Sequence, residues 1–246
     1  MKPIIEAHRG ASNVAPENTL AAFQRAIDLR ADSIELDVHP AADGTLVVIH
    51  DATVDRTTNG IGAVSSLTCF DLRKLDAGLK FHADFAGERI PTLGEVMGRL
   101  VGTSTNLNIE IKQPPPGLSL ADAIVNLIGH YGKIDHYVVS SFDLTALLAI
   151  RSLEPRLTLA PIGKAPEILA LAQTHHFPWI HCNRTTLTDD LIRRAHADGI
   201  RVAVWTVDDP LEARQWAEQG IDKIITNCPR EMLALDWSSR TTSTRI

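Results

Sequence analysis

The chain has 246 residues, of which 24 are basic and 30 acidic, for a net charge of −6, and 44% are hydrophobic. That apolar share supports a large buried core and excludes global disorder. The acidic balance and the lack of a basic stretch argue against nucleic acid as a partner.

Along the chain, the amino end Met1-Lys2-Pro3-Ile4-Ile5-Glu6 carries an acid inside its first apolar run, so no signal-peptide core is expected. No window approaches the ~20 apolar residues of a membrane span. Strands are predicted at 4–8, 33–38, 107–112, 137–141, 158–162, 179–182, 202–207 and 223–226, from short runs rich in β-branched residues. Helix-length amphipathic segments at 19–29, 93–101, 120–131, 144–153, 165–174, 188–198 and 210–219 fall between most of them, and 230–235 supplies a last helix. Asn18, Asp143 and Asp209 are candidate helix caps, Thr92 with Glu95 spells a capping box, and Pro210 suits a first helical position. Gly199 and Gly220 stand where helices end. The cysteines, Cys69, Cys182 and Cys228, are odd in number and far apart, which predicts reduced, mostly buried thiols. These features point to the cytoplasm.

Strands alternating with helices imply a parallel sheet with right-handed crossovers. Eight such units of even spacing predict an α/β TIM (β/α)8 barrel, which a doubly wound open sheet would seldom match. One interval breaks the rhythm. Residues 38–107 are too many for one unit; they hold the hairpin signal Asp43-Gly44 and a strand at 46–50. We therefore expect one catalytic domain, 1–246, with a small insertion after the second strand at 51–89. Pro114-Pro115-Pro116-Gly117 reads as a stiff connector, and residues 238–246 as a polar, frayed tail.

In such a barrel the chemistry sits at the carboxyl ends of the strands. That rule selects His8 and Arg9 after the first strand, Glu35 and Asp37 on the second, and Glu110 and Lys112 on the third. Residues two apart share a face, so three carboxylates converge, which is costly without a cation. Three oxygen ligands without cysteine suit one hard divalent ion, Mg²⁺ or Ca²⁺. Arg9 is left to hold a phosphodiester, and His8 and His50 form a proton-transfer pair with a side-chain pKa near working pH. His39 continues the alternation but is expected to lie past the strand end. Glu17 reads as a supporting acid. His82, His130, His136, His175, His176 and His196 read as surface or packing residues, while Trp205 is expected to wall a substrate pocket.

The motifs run in order through almost the whole chain. They are His8-Arg9-Gly10, Pro16-Glu17-Asn18-Thr19, Glu35-Leu36-Asp37-Val38, Asp43-Gly44 and Val47-Val48-Ile49-His50-Asp51. Further on come Asp55-Arg56-Thr57-Thr58-Asn59-Gly60, Leu75-Asp76-Ala77-Gly78, Ile90-Pro91-Thr92-Leu93, Ile109-Glu110-Ile111-Lys112, Trp205-Thr206-Val207 and Ile225-Thr226. This set resembles the glycerophosphodiester phosphodiesterase family. The resemblance implies a TIM barrel with a segment inserted after the second strand, and hydrolysis of glycerophosphodiesters to sn-glycerol 3-phosphate and an alcohol. It also implies that His8 and His50 are the acid/base pair, that Glu35, Asp37 and Glu110 are the metal ligands, and that Arg9 and Lys112 face the phosphate. Ala41-Ala42 stands where Thr-Lys is frequent, Arg30 where a glycine is common, and Asp208 and Asn227 exchange the usual Asn and Asp; none is expected to touch the catalytic set.

Two other readings share these motifs. A lyase of the phospholipase D-toxin type would stop at a cyclic phosphate, and the missing secretion signal counts against it. A non-catalytic phosphodiester-binding barrel would not need both histidines. Choline, ethanolamine, glycerol and inositol diesters all fit, and the oligomeric state is left open.

Overall fold

Alternation along the strands decides what enters the barrel. On β2 (Ser33–Pro40) every residue is buried, yet Ile34, Leu36 and Val38 join the apolar layer under the helices, which leaves Ser33, Glu35, Asp37 and His39 for the interior. Leu107, Ile109 and Ile111 of β4 (Asn106–Ile111) repeat the pattern around Asn108 and Glu110. The structure, a computed structural model, describes residues 2–112 and 120–238. The Pro114-Pro115-Pro116-Gly117 connector and all but the first residue of the polar tail lie outside these.

The remaining elements alternate as expected. The first half also holds β1 (Ile4–His8), α1 (Leu20–Asp28), β3 (Leu46–Val48), α2 (Cys69–Leu72), α3 (Leu93–Leu100) and α4 (Ala121–Tyr131). The second half holds β5 (Tyr137–Ser141), α5 (Leu144–Leu153), β6 (Thr158–Gly163), α6 (Glu167–His175), β7 (Trp179–Asn183), α7 (Asp189–Ala197), β8 (Arg201–Trp205), α8 (Pro210–Glu218), β9 (Lys223–Thr226) and α9 (Pro229–Leu233). The sheet order is β1-β9-β8-β7-β6-β5-β4-β2-β3, and β1 also pairs with β2. Eight parallel strands thus close into a barrel, with β3 antiparallel on β2 as an addition.

The outer layer is one continuous core in which Phe23, Leu36, Ile109, Ile180 and Val204 are fully buried between strands and helices. Each large apolar side chain buried this way contributes about 1.5–3 kcal/mol. Inside, Ala160, Trp179, Ala203 and Ile225 fill the side bounded by β6 to β9. Glu6, Ser33, Asn108 and Ser140 make the opposite side polar.

The element limits shift for identifiable reasons. Asn18 does not cap α1; Thr19 does, accepting from the Ala22 N–H, while Asn18 sits at φ 58°. The capping box of Thr92 and Glu95 and the caps by Asp143 and Asp209 form as read. Helix α6 starts only at Glu167, since Pro166 occupies its cap. Strand β8 stops at Trp205, short of the expected 207, and the expected helix 230–235 is the shorter α9, starting one residue earlier. Gly199 and Gly220 take positive φ after α7 and α8. Arg30, where a glycine is common, takes the left-handed φ of 58° that a glycine would favour.

β2 pairs with β1 through Ser33–Glu35 and with β3 through Val38–Pro40. β3 therefore takes up that edge of β2 above the end of β1. It is shorter than expected, because pairing ends at Val48 and only the Ile49 N–H still reaches Asp37 O. The segment after it packs on β3 through its own small cluster, with Val54, Val64 and Leu72 buried against Val47 and Ile49. This packing carries His50 and Asp51 to the mouth of the barrel.

Gly10 links β1 to the site. Its φ is +83°, and an added Cβ would lie 2.6 Å from the Ala22 carbonyl carbon. Gly10→Ala should cost about 1–3 kcal/mol in urea unfolding. A loss below about 0.5 kcal/mol, the level of an indifferent surface change, would show that the turn after His8 is not constrained.

Candidate active site

Glu35 and Asp37 on β2 and Glu110 on β4 bring three buried carboxylates to the carboxyl end of the barrel, since Asp37 and Glu110 are register partners. One oxygen from each lies within 4.8 Å of the others. Glu35 Oε1 and Asp37 Oδ1 have no hydrogen-bond partner although both are buried. Burial first, then the charges of Asp37 and Glu110, pushes the Glu35 carboxyl well above the usual range. The same causes, burial ahead of Asp37, raise Glu110 to about 7. Burial alone would raise Asp37 too, but Lys112 and Arg9 outweigh it and hold it below its ordinary value. Buried carboxylate oxygens at this spacing are a fitting donor set for a divalent cation.

Two cations flank the acids. Lys112 Nζ lies 2.8 Å from Asp37 Oδ1, an ion pair outside hydrogen-bond alignment, and it also donates to Glu110. Arg9 Nε approaches Asp37 Oδ2 at 3.3 Å, again without hydrogen-bond alignment, while its Nη1 donates to Glu17 Oε1 at 2.9 Å. The backbone of Arg9 takes φ 59° and donates its N–H to Glu35 Oε2 at 2.9 Å. Asn18, misread as a cap, instead donates Nδ2 to Asp37 Oδ2 at 2.7 Å. The neighbouring carbonyl of Arg9 accepts from the Asn18 N–H.

The two histidines are held from outside. Asn227 donates its amide nitrogen to Asp208 Oδ2 at 2.7 Å, which leaves its oxygen for His8. His8 Nδ1 donates to that oxygen at 2.7 Å, so its Nε2 carries the free lone pair, 3.9 Å from Glu35 Oε2. Burial and then Arg9 push the His8 pKa down, against the Asn227 hydrogen bond, so the ring is held neutral. The exchanged pair Asp208 and Asn227 therefore does touch the proposed catalytic set, contrary to expectation: β9 ends at Thr226, and the next residue turns its amide onto His8. His50 Nδ1 donates to Asp51 Oδ1 at 2.6 Å. His39 lies within β2, which runs on to Pro40 because β3 pairs with it there, and not past the strand end as expected; it donates to the His50 carbonyl at 3.0 Å and stands outside the acid cluster.

A cavity of about 110 Å³ joins these groups: His8, Arg9, Glu35, His50, Glu110 and Lys112 line one side. Phe142, Ile162, Trp205 and Ile225 line the other. Trp205, one of these lining residues, donates Nε1 to the His181 carbonyl and meets the exposed Phe142 edge-on at 5.9 Å. All the residues expected at the site converge here. Asp37 alone lies behind the cavity surface, wrapped by Asn18, Arg9 and Lys112.

Three groups escaped the reading. His181 points inward because, two residues on, it shares the face of Trp179 on β7, and burial lowers its pKa to about 3. Glu6 and Lys223 pair at 2.6 Å below the site; burial would raise Glu6, but Lys223 outweighs it. Glu6 also accepts from Ser33 and Asn108, so this layer is satisfied. Strand alternation was the available signal for all three.

The model for the Glycerophosphoryl diester phosphodiesterase family matches residues 8–231. A glycerophosphodiester phosphodiesterase of Caldanaerobacter subterraneus is 38% identical over 96% of this chain and 98% of its own. A phosphodiesterase of Oleispira antarctica, solved in complex with the product sn-glycerol-3-phosphate, superposes with a TM-score of 0.89 at 28% identity, over 94% of this chain and 95% of that one. The glycerophosphodiester phosphodiesterase of Agrobacterium tumefaciens gives 0.84 at 31% identity, over 95% and 100%. The chain belongs to the glycerophosphodiester phosphodiesterase family and is an enzyme of that family.

The raised carboxyls couple cation binding to pH. Glu110 titrates near 7 in the folded chain against 4.5 ordinarily. Its contribution to stability is therefore intact below about pH 4.5 and is lost as pH rises through 7. A divalent cation needs the ionised form. The rise in melting temperature on adding Mg²⁺ or Ca²⁺ to EDTA-stripped protein should thus be larger at about pH 8 than at about pH 5.5. An equal or larger rise at the lower pH would contradict this.

Proposed function

We propose that this member of the family hydrolyses glycerophosphodiesters to sn-glycerol 3-phosphate and an alcohol, with His8 and His50 as the proton-transfer pair. The observation that carries this reading is the convergence, at one cavity, of two oriented histidines, two cations and three buried acids, of which Glu35 keeps an oxygen with no partner. Glu35, Asp37 and Glu110 are the residues to hold one divalent cation, Mg²⁺ or Ca²⁺, whose charge would stabilise the phosphoryl oxygens.

Arg9 and Lys112 bind the phosphate and answer the negative charge that grows on its oxygens. Each histidine has its Nδ1 proton committed, to Asn227 or to Asp51, so Nε2 is the working atom of each. One Nε2 takes the proton of the attacking oxygen, and the other, protonated, returns one to the departing alkoxide. The attacker is the glycerol 2-hydroxyl, through a cyclic phosphate that water opens, or water itself. The aromatic pair Phe142 and Trp205 closes the side of the pocket away from the cations and offers a face to a quaternary ammonium head group.

The product bound to the Oleispira antarctica phosphodiesterase supports sn-glycerol 3-phosphate as the retained half here. Purified protein should release glycerol 3-phosphate from glycerophosphocholine, lose that activity in EDTA and regain it with Mg²⁺ or Ca²⁺. His50→Ala should cut kcat by at least ~100-fold. A cyclic phosphate as the final product in phosphorus NMR would move the assignment to a lyase. Near-normal turnover by His50→Ala would remove His50 from the mechanism.

A further inference from the structure

The insertion reaches the site through one side chain. Arg56 donates Nη1 to Glu17 Oε2 and Nη2 to Glu17 Oε1, both at 2.8 Å. On its other edge Nε donates to Asp51 Oδ2 at 2.6 Å and Nη2 to Asp51 Oδ1 at 3.2 Å. Each of these acids holds a residue of the site. Asp51 accepts the Nδ1 proton of His50, and Glu17 accepts from Arg9 Nη1. The chain of contacts His50–Asp51–Arg56–Glu17–Arg9 therefore links the proton-transfer arm to the phosphate-binding arm, and its members come from the end of β3, the insertion and the loop before α1.

We propose that Arg56 is a positioning residue that fixes His50 through Asp51 and Arg9 through Glu17, so that the insertion sets the spacing of the two arms. This rests on the hydrolase reading above. A plain surface ion pair is the competing explanation. It would contribute little and would need no particular geometry. Here the Arg56 side chain is 47% exposed, so burial does not explain its engagement. Four directed bonds to two acids use the planar fork of a guanidinium, which an ammonium cannot copy. Hydrogen bonds from Arg56 lead the causes that hold Asp51 far below the usual carboxylate range. Asp51 thus remains an acceptor and keeps the His50 proton on Nδ1. For Glu17, burial works upward, and the hydrogen bonds from Arg56, with the charge of Arg9 next, outweigh it.

The test uses the full chain with glycerophosphocholine and compares Arg56→Ala, Arg56→Lys, Asp51→Asn and the double variant Arg56→Ala/Asp51→Asn. Arg56→Ala should lose about 10–100-fold in kcat, the usual cost of removing a group that orients a working side chain. Its melting temperature should stay within about 4 °C of the parent. Guanidinium ion at a low, non-denaturing concentration should restore part of the lost rate to Arg56→Ala and none to Asp51→Asn. The double variant should lose clearly less than the product of the two single losses, because one of the two routes by which Arg56 acts runs through Asp51.

Should Arg56→Ala fail to fold, Arg56→Lys decides, since it keeps the stem and the charge and should still lose at least about tenfold. An Arg56→Ala or Arg56→Lys enzyme with parental kcat, or a double variant that loses the product of the two single losses, would overturn the proposal while leaving the hydrolase reading intact. An inactive parent enzyme would overturn both.

Discussion

Three carboxylates gathered within 4.8 Å inside a protein set the terms for everything around them. Each charge taken from water is costly, and like charges at that distance repel strongly. The surroundings answer with Arg9, Lys112 and the amide of Asn18, all directed at Asp37. Glu35 and Glu110 are left with raised affinity for protons, and Glu35 keeps an oxygen without a partner. Such an arrangement is poor for stability and suited to holding a cation, whose charge would offset the cost of folding these acids inward.

The barrel divides its interior accordingly. The side bounded by β6 to β9 is filled by Trp179, Ile225 and small alanines, and gives the cavity an apolar wall. The opposite side is polar to its depth, with Glu6 and Lys223 paired beneath the acids. Backbone geometry then delivers the groups that no strand can. The left-handed turn at Arg9 and Gly10 folds the Arg9 N–H onto Glu35, and Asn18, also left-handed, reaches Asp37 from the start of the next helix. The antiparallel β3 leads His50 to the cavity that His8 also lines.

Much of this was legible in the sequence because strand alternation and the strand-end rule act locally. Glu35, Asp37, Glu110 and Lys112 are spaced by two on apolar strands, so their convergence follows once a barrel is assumed. The insertion was visible as a break in rhythm, though its small cluster and its hold on the site were not. The misses have one physical cause: contacts across a closed sheet join residues that periodicity treats as separate. Asn227 meets His8 because β9 pairs with β1, 219 residues apart in the chain. Glu6 and Lys223 meet for the same reason. Asn18 was read as a helix cap from its residue type, yet Thr19 was the better placed acceptor and Asn18 was free to serve Asp37.

The central claim is that Glu35, Asp37 and Glu110 form the cation site. Anomalous scattering from crystals grown with Mn²⁺ tests it most directly, since that ion shares their preference for hard oxygen ligands. We predict one strong peak at the barrel mouth, within about 2.0–2.6 Å of oxygens from all three side chains. A peak elsewhere, or none at a saturating concentration, would contradict the claim.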